Sequence, residues 1–149
     1  MFKTKLSSIL LVEDNPSDIE LTKRAFAKSN IFNPLDVVED GEEALEYLYC
    51  QGRYANRDPN EMPALVLIDL KMPGIGGLEV IRQIRANPQT KRLLVVILTS
   101  SKEEQDVAMG YDLGVNSYIR KPVDFQKFAE VIKQMGMYWL VLNEPPAVE

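Results

Sequence analysis

Five short apolar runs punctuate the chain, at 9–12 (ILLV), 35–38 (LDVV), 64–68 (ALVLI), 93–98 (LLVVIL) and 117–119 (SYI). The first, third and fourth are rich in Val, Ile and Leu and do not alternate with polar residues. Runs of that kind suit strands buried on both faces, as in a parallel sheet. The second is short and carries Asp36, which places it nearer a sheet edge. Between the runs, apolar positions return at helical spacing. Asn15-Pro16 reads as an N-cap followed by proline at the first helical position, with Ile19, Ala25 and Phe26 as the core face and Leu21 as a weaker member. Gly41 precedes a helix over 42–49, with Ala44, Leu45 and Leu48 inward. Leu78, Ile81, Ile84 and Arg85 mark a third helix, stopped at Asn87-Pro88 because proline disfavours a helical residue before it. A weaker pattern spans 102–113 and ends at Gly114. Asp124 caps a fifth helix, with Phe125, Phe128, Ala129 and Ile132 inward.

Strand and helix thus alternate five times. The expected fold is a doubly wound α/β, flavodoxin-like (βα)5 domain, with helices on both faces of a parallel five-stranded sheet of order 2-1-3-4-5. No repeat, low-complexity tract or linker interrupts the pattern. The 149 residues are expected to form one domain, with a core over about 7–135 and an apolar helix extension and tail over 136–149. Two stretches depart from the pattern. Residues 50–63 (CQGRYANRDPNEMP) form a long polar connection, read either as a tolerated surface insertion or as a partner contact. Residues 137–142 are six consecutive apolar residues, more than the single stripe a surface helix needs. Such a stretch folds back on the body or meets another chain, and a homodimer through the last helix and tail is expected.

Composition narrows the chemistry. There is no histidine, which excludes Ser-His-Asp and Cys-His couples and imidazole metal sites. It also means that any phosphohistidine must sit on a partner. A net charge of −5 argues against a nucleic-acid footprint. The single cysteine, Cys50, cannot form an internal disulfide and suits a reducing cytoplasm. The first residues hold an apolar run too short for a signal peptide or a membrane span.

In an open α/β sheet, ligands bind beyond the carboxyl ends of the strands, where strand order reverses. The first run is followed by Glu13-Asp14, the third by Asp69, the fourth by Thr99-Ser100, and the fifth by Arg120-Lys121-Pro122. The expected order places Glu13, Asp14 and Asp69 together, flanked by Thr99 and Lys121. Carboxylates about 4 Å apart repel by roughly 4 kcal/mol at an effective dielectric near 20. A hard cation such as Mg²⁺ removes that repulsion and shares its shell with phosphate oxygens. Asp69 stands alone at its strand end and is the better nucleophile candidate, leaving Glu13 and Asp14 to the metal. Lys121 can offset phosphoryl charge, and the Thr99 hydroxyl can donate to another oxygen. Gly74, Gly76 and Gly77 lack the G-x-G-x-x-G spacing and read as a flexible loop.

The chain resembles a response-regulator receiver domain of two-component signalling, over about residues 7–135. The resemblance rests on ILLVEDN at 9–15, LVLIDLKMPGIGGLEVIRQIR at 65–85, VVILTSS at 95–101 and LGVNSYIRKPVD at 113–124. It implies that Asp69 accepts a phosphoryl group from a histidine kinase. Glu13, Asp14, Asp69 and the Lys71 backbone carbonyl would bind Mg²⁺. Thr99 and Tyr118 would act as the switch pair, and Lys121 would contact the phosphoryl group, set by a cis peptide before Pro122. Glu13 stands where many members have aspartate. The 50–63 connection and the ending MYWLVLNEPP look most like small single-domain regulators paired with cyanobacterial phytochromes, which implies a phytochrome kinase as partner. The residues after about 143 are too few for an output module, so the expected output is protein contact. The expected protein is then a switch that catalyses only its own phosphorylation and dephosphorylation, with no nucleic acid or membrane as partner. Two alternatives stand beside it. An Asp-nucleophile Mg²⁺ phosphatase would want a second aspartate where Lys71 stands. A flavodoxin-like electron carrier would need a phosphate cradle where the acidic EDNPSD stands.

Overall fold

The strands are β1 (Ile9–Val12), β2 (Leu35–Val38), β3 (Leu65–Ile68), β4 (Val95–Thr99) and β5 (Ser117–Arg120) in a computed structural model that describes residues 7–99, 109, 111–120 and 125–135. All pair in parallel, in the order β2-β1-β3-β4-β5. The expected doubly wound sheet is therefore present, and β2 is an edge strand.

The non-alternating runs have a direct structural reason. Leu10, Val12, Val66 and Ile68 point to one face, where they pack with Leu48 of α2 (Gly41–Tyr49) and with Ile81 and Ile84 of α3 (Gly77–Ala86). Ile9, Leu11, Leu65 and Leu67 point to the other face, against Phe26 of α1 (Pro16–Lys28) and Ile132 of α4 (Phe125–Met135). Successive strand residues enter opposite cores, so both must be apolar.

Local chemistry sets the helix ends. The Asn15 side chain accepts from the N–H groups of Ser17 and Asp18 at 2.9 and 3.1 Å, and Pro16 follows at the first helical position. Asp40 caps α2 through the Glu43 N–H at 2.7 Å. Cys50 closes α2 in the left-handed region at φ 54°, and α3 stops before Asn87-Pro88.

Two features differ from the sequence pattern. β4 begins at Val95 rather than Leu93, because the Leu93 N–H is committed to a turn with Thr90 and its carbonyl accepts from Arg85. On α2, Tyr47 is buried and Leu45 only half-buried, because the Tyr47 hydroxyl reaches Asp36 at 2.6 Å and its ring can enter the core with its polar end satisfied. Of the 102–113 pattern, Met109, Tyr111 and Asp112 are helical, and Gly114 ends it at φ 77°. Ser100, Lys121, Pro122, Asp124, the side chains of Phe125 and Phe128, and the 136–149 stretch lie outside the described residues. Among the described residues no helix is long and apolar enough to cross a membrane.

Candidate functional site

β1 and β3 run side by side with Val12 opposite Ile68. The pairing continues one step further. The Asp69 N–H donates to the Val12 carbonyl at 3.0 Å, and the Glu13 N–H donates to the Val38 carbonyl at 2.9 Å. Glu13 and Asp69 are thus held by sheet-like bonds just beyond the strands, at the point where strand order reverses. Both are buried, at 1% and 7% exposure, while Asp14 is half-buried. One carboxylate oxygen from each of Glu13, Asp14 and Asp69 lies within 4.8 Å of the others.

Three carboxylates at that spacing are a hard, oxygen-rich donor set. Mutual repulsion in a partly dry setting disfavours the cluster alone, and a divalent cation offsets it. The residues present therefore fit a divalent ion of the Mg²⁺ or Mn²⁺ kind.

Backbone groups orient the carboxylates. The Lys71 N–H donates to Asp69 Oδ1 at 3.2 Å, and the Asn15 N–H donates to Glu13 Oε2 at 3.3 Å. Asn15 therefore both steadies Glu13 and starts α1. Thr99 is the last residue of β4, and Tyr118 lies half-buried on β5 opposite Ile97, packed against the α2–α3 core. The structure thus joins Glu13, Asp14, Asp69 and Lys71, and sets Thr99 and Tyr118 on the neighbouring strands.

The glycine-rich stretch is more constrained than its sequence suggests. Gly77 is buried as the first residue of α3, and a Cβ there would lie 2.5 Å from the Asp69 carbonyl oxygen and 2.9 Å from Leu70 Cα. Its N–H donates to the Leu70 carbonyl at 3.2 Å. The start of α3 is pressed onto the backbone of Asp69, which a side chain at 77 would push away.

The 50–63 connection is likewise tied down. Arg57 sits over the Tyr47 ring at 3.8 Å from its centroid and donates to the Tyr47 carbonyl. Tyr54 meets the Tyr47 ring edge-on at 5.3 Å, and its hydroxyl donates to Glu43. Burial, with the Glu43 carboxylate beside it, pushes the Tyr54 hydroxyl up to about 12, so it stays a proton donor to Glu43. Burial and Asp36 raise Tyr47 in the same direction. The polar sequence of 50–63 has no periodicity that signals these contacts; they are made by Tyr54 and Arg57 with Tyr47 of α2, which only the fold brings together.

Comparison with known proteins bears on this geometry. The family model for the response regulator receiver domain matches residues 9–133. The response regulator Rcp1 of Synechocystis sp. is 37% identical over 139 residues, which cover 93% of this chain and 92% of that protein. The Mn²⁺-bound form of Rcp1 superposes with a TM-score of 0.83 at 36% identity, over 95% of this chain and 99% of that one. The phosphorylated cyanobacterial phytochrome response regulator RcpA gives 0.85 at 38% identity, over 95% of this chain and 99% of that one. The bacteriophytochrome response regulator AtBRR is 48% identical, with a TM-score of 0.76, over 95% of this chain and 100% of that one.

Proposed function

The chain belongs to the response-regulator receiver family, and on that premise we propose that Asp69 accepts a phosphoryl group from a phosphohistidine on a histidine kinase. The observation that carries this reading is the convergence of the Glu13, Asp14 and Asp69 carboxylates at the β1–β3 switch point. An Asp69 carboxylate oxygen attacks phosphorus; a P–O bond forms as the P–N bond breaks, and the imidazole leaves with the electron pair. The Lys71 N–H fixes the carboxylate's orientation through Oδ1. Glu13, Asp14, Asp69 and the Lys71 carbonyl would hold Mg²⁺, which supplies positive charge opposite the carboxylates and the phosphoryl oxygens. Thr99 and Lys121 would serve those oxygens. Phosphorylation then shifts a two-state equilibrium through Thr99 and Tyr118, and the output is a change in protein contacts.

The partner we assign is a phytochrome histidine kinase, supported by the likeness to RcpA and AtBRR. The setting is cytoplasmic, in keeping with a free Cys50. The chain pairs with a second copy through α4 and the tail. Val131, exposed on α4, and the apolar sequence at 137–142 support that pairing. At micromolar concentration sedimentation is expected to show a dimer; a monomer with and without phosphorylation would overturn the pairing. For the transfer itself, acetyl phosphate with Mg²⁺ is expected to give a base-labile label that maps to Asp69 and is lost on chelation. Labelling that is indifferent to Mg²⁺, or that maps elsewhere, contradicts the assignment.

A further inference from the structure

Away from the acidic cluster, α2 meets the loop that follows Asp69, and the contact is built around two glycines. The Ile75 N–H donates to Glu42 Oε1 at 3.2 Å, joining residues 33 apart in sequence. Gly74, at φ 77°, has the Glu42 carboxylate where a side chain would stand: a Cβ there would lie 2.7 and 2.8 Å from the two oxygens. On the helix side, a Cβ on Gly41 would come within 2.5 Å of Ile75 Cγ1 and 2.8 Å of the Ile75 carbonyl oxygen. The start of α2 and the loop tip approach this closely because both positions lack a side chain.

The base of the same loop is the candidate site. The Lys71 N–H bonds Asp69 Oδ1, and the Gly77 N–H bonds the Leu70 carbonyl, each at 3.2 Å. Residues 71–76 therefore form a loop closed at Asp69-Leu70 and Gly77 and gripped at its tip by Glu42. Met72 and Ile75 also pack against the core. Apolar packing is non-directional. The Glu42 bond is directional, and it orients the peptide planes of the loop.

We propose that Glu42 is a positioning residue for the phosphoryl-transfer site, holding the 71–76 loop so that the Lys71 backbone, whose N–H bonds Asp69 Oδ1, keeps its place beside the Asp69 carboxylate. This rests on the roles assigned above to Asp69 and Lys71. The test compares the parent chain with Glu42→Ala and Glu42→Gln by Mg²⁺ titration calorimetry, acetyl phosphate labelling and amide exchange over the loop. Glu42→Ala is expected to raise the Mg²⁺ dissociation constant and slow labelling by about fivefold each, the worth of one ordinary hydrogen bond. Exchange at the Ile75 amide should quicken alongside. Glu42→Gln keeps an acceptor oxygen and is expected to stay within about twofold of the parent. A role through the α2 dipole alone would be lost with Gln as with Ala. The proposal is overturned by an Ala variant that binds Mg²⁺ like the parent, or by a Gln variant that falls with Ala. A parent chain that takes neither Mg²⁺ nor label overturns the assignment of Asp69 instead, before any Glu42 variant is compared.

Discussion

Asp69→Asn is expected to abolish acetyl phosphate labelling and, in Mg²⁺-free buffer, to raise the thermal midpoint of the protein. The first effect follows from chemistry: an amide oxygen is not the anionic nucleophile that a carboxylate is. The second follows from the cluster. Asp69 and Glu13 are buried, and their carboxylates stand with that of Asp14 within 4.8 Å of one another. The bare repulsion of one such pair is roughly 4 kcal/mol at an effective dielectric near 20, and solvent screening together with the other polar partners of Glu13 and Asp69 leaves about 1–2 kcal/mol. For a chain of this size that corresponds to a rise of roughly 2–8 °C. The geometry survives the change, because the asparagine carbonyl can still accept the Lys71 N–H that now bonds Oδ1. Added Mg²⁺ should stabilise the parent by mass action and Asp69→Asn much less, since one anionic ligand is gone. Scanning calorimetry with and without Mg²⁺, run beside the labelling assay, checks both. An Asn variant that still takes label, or that gains as much from Mg²⁺ as the parent does, would place the acceptor and the metal elsewhere.

The acidic site was legible because its logic is topological. A parallel sheet writes itself as short runs apolar on both faces, and once strand order is inferred, the residues after each run must meet at one edge. Glu13, Asp14 and Asp69 follow from that rule without any side-chain detail. What stayed hidden depends on docking. Gly77 looks like loop glycine until α3 is set down on the Asp69 backbone. Glu42 looks like one more solvated helix-start acid until the 71–76 loop is folded over it. Tyr47 departs from the apolar stripe of α2 because its partner, Asp36, sits on the edge strand. These contacts join residues distant in sequence, and their partners carry no pattern of their own.

Arg85 is the clearest such case, and its loss is expected to be the most damaging to stability. In sequence it is a lone cation on the inward face of a helix. In the fold its guanidinium is half-buried and serves four backbone carbonyls: Nε donates to Leu113 at 2.9 Å, Nη1 to Lys91 at 2.9 Å and Leu93 at 2.7 Å, and Nη2 to Gly114 at 2.7 Å. Burial pulls its pKa down, yet a guanidinium remains charged at neutral pH. Charged hydrogen bonds are worth about 1.5–3 kcal/mol each. Water replaces those at Lys91 and Gly114, which are exposed, but reaches the half-buried Leu93 and Leu113 less well. Arg85→Ala is therefore expected to destabilise the fold by about 3 kcal/mol, lowering the midpoint by roughly 6–12 °C. Arg85→Lys should recover only a small part, because an ammonium cannot span four acceptors arranged around a planar fork. The damage should also be directional. The clamp ties the end of α3 to the turn at 113–114 that feeds β5, and β5 carries Tyr118. Amide exchange in Arg85→Ala is thus expected to quicken first at 113–120, ahead of β1 and β3. Uniform quickening across the sheet, or a midpoint within about 2 °C of the parent, would show that water satisfies these carbonyls and that the clamp holds nothing.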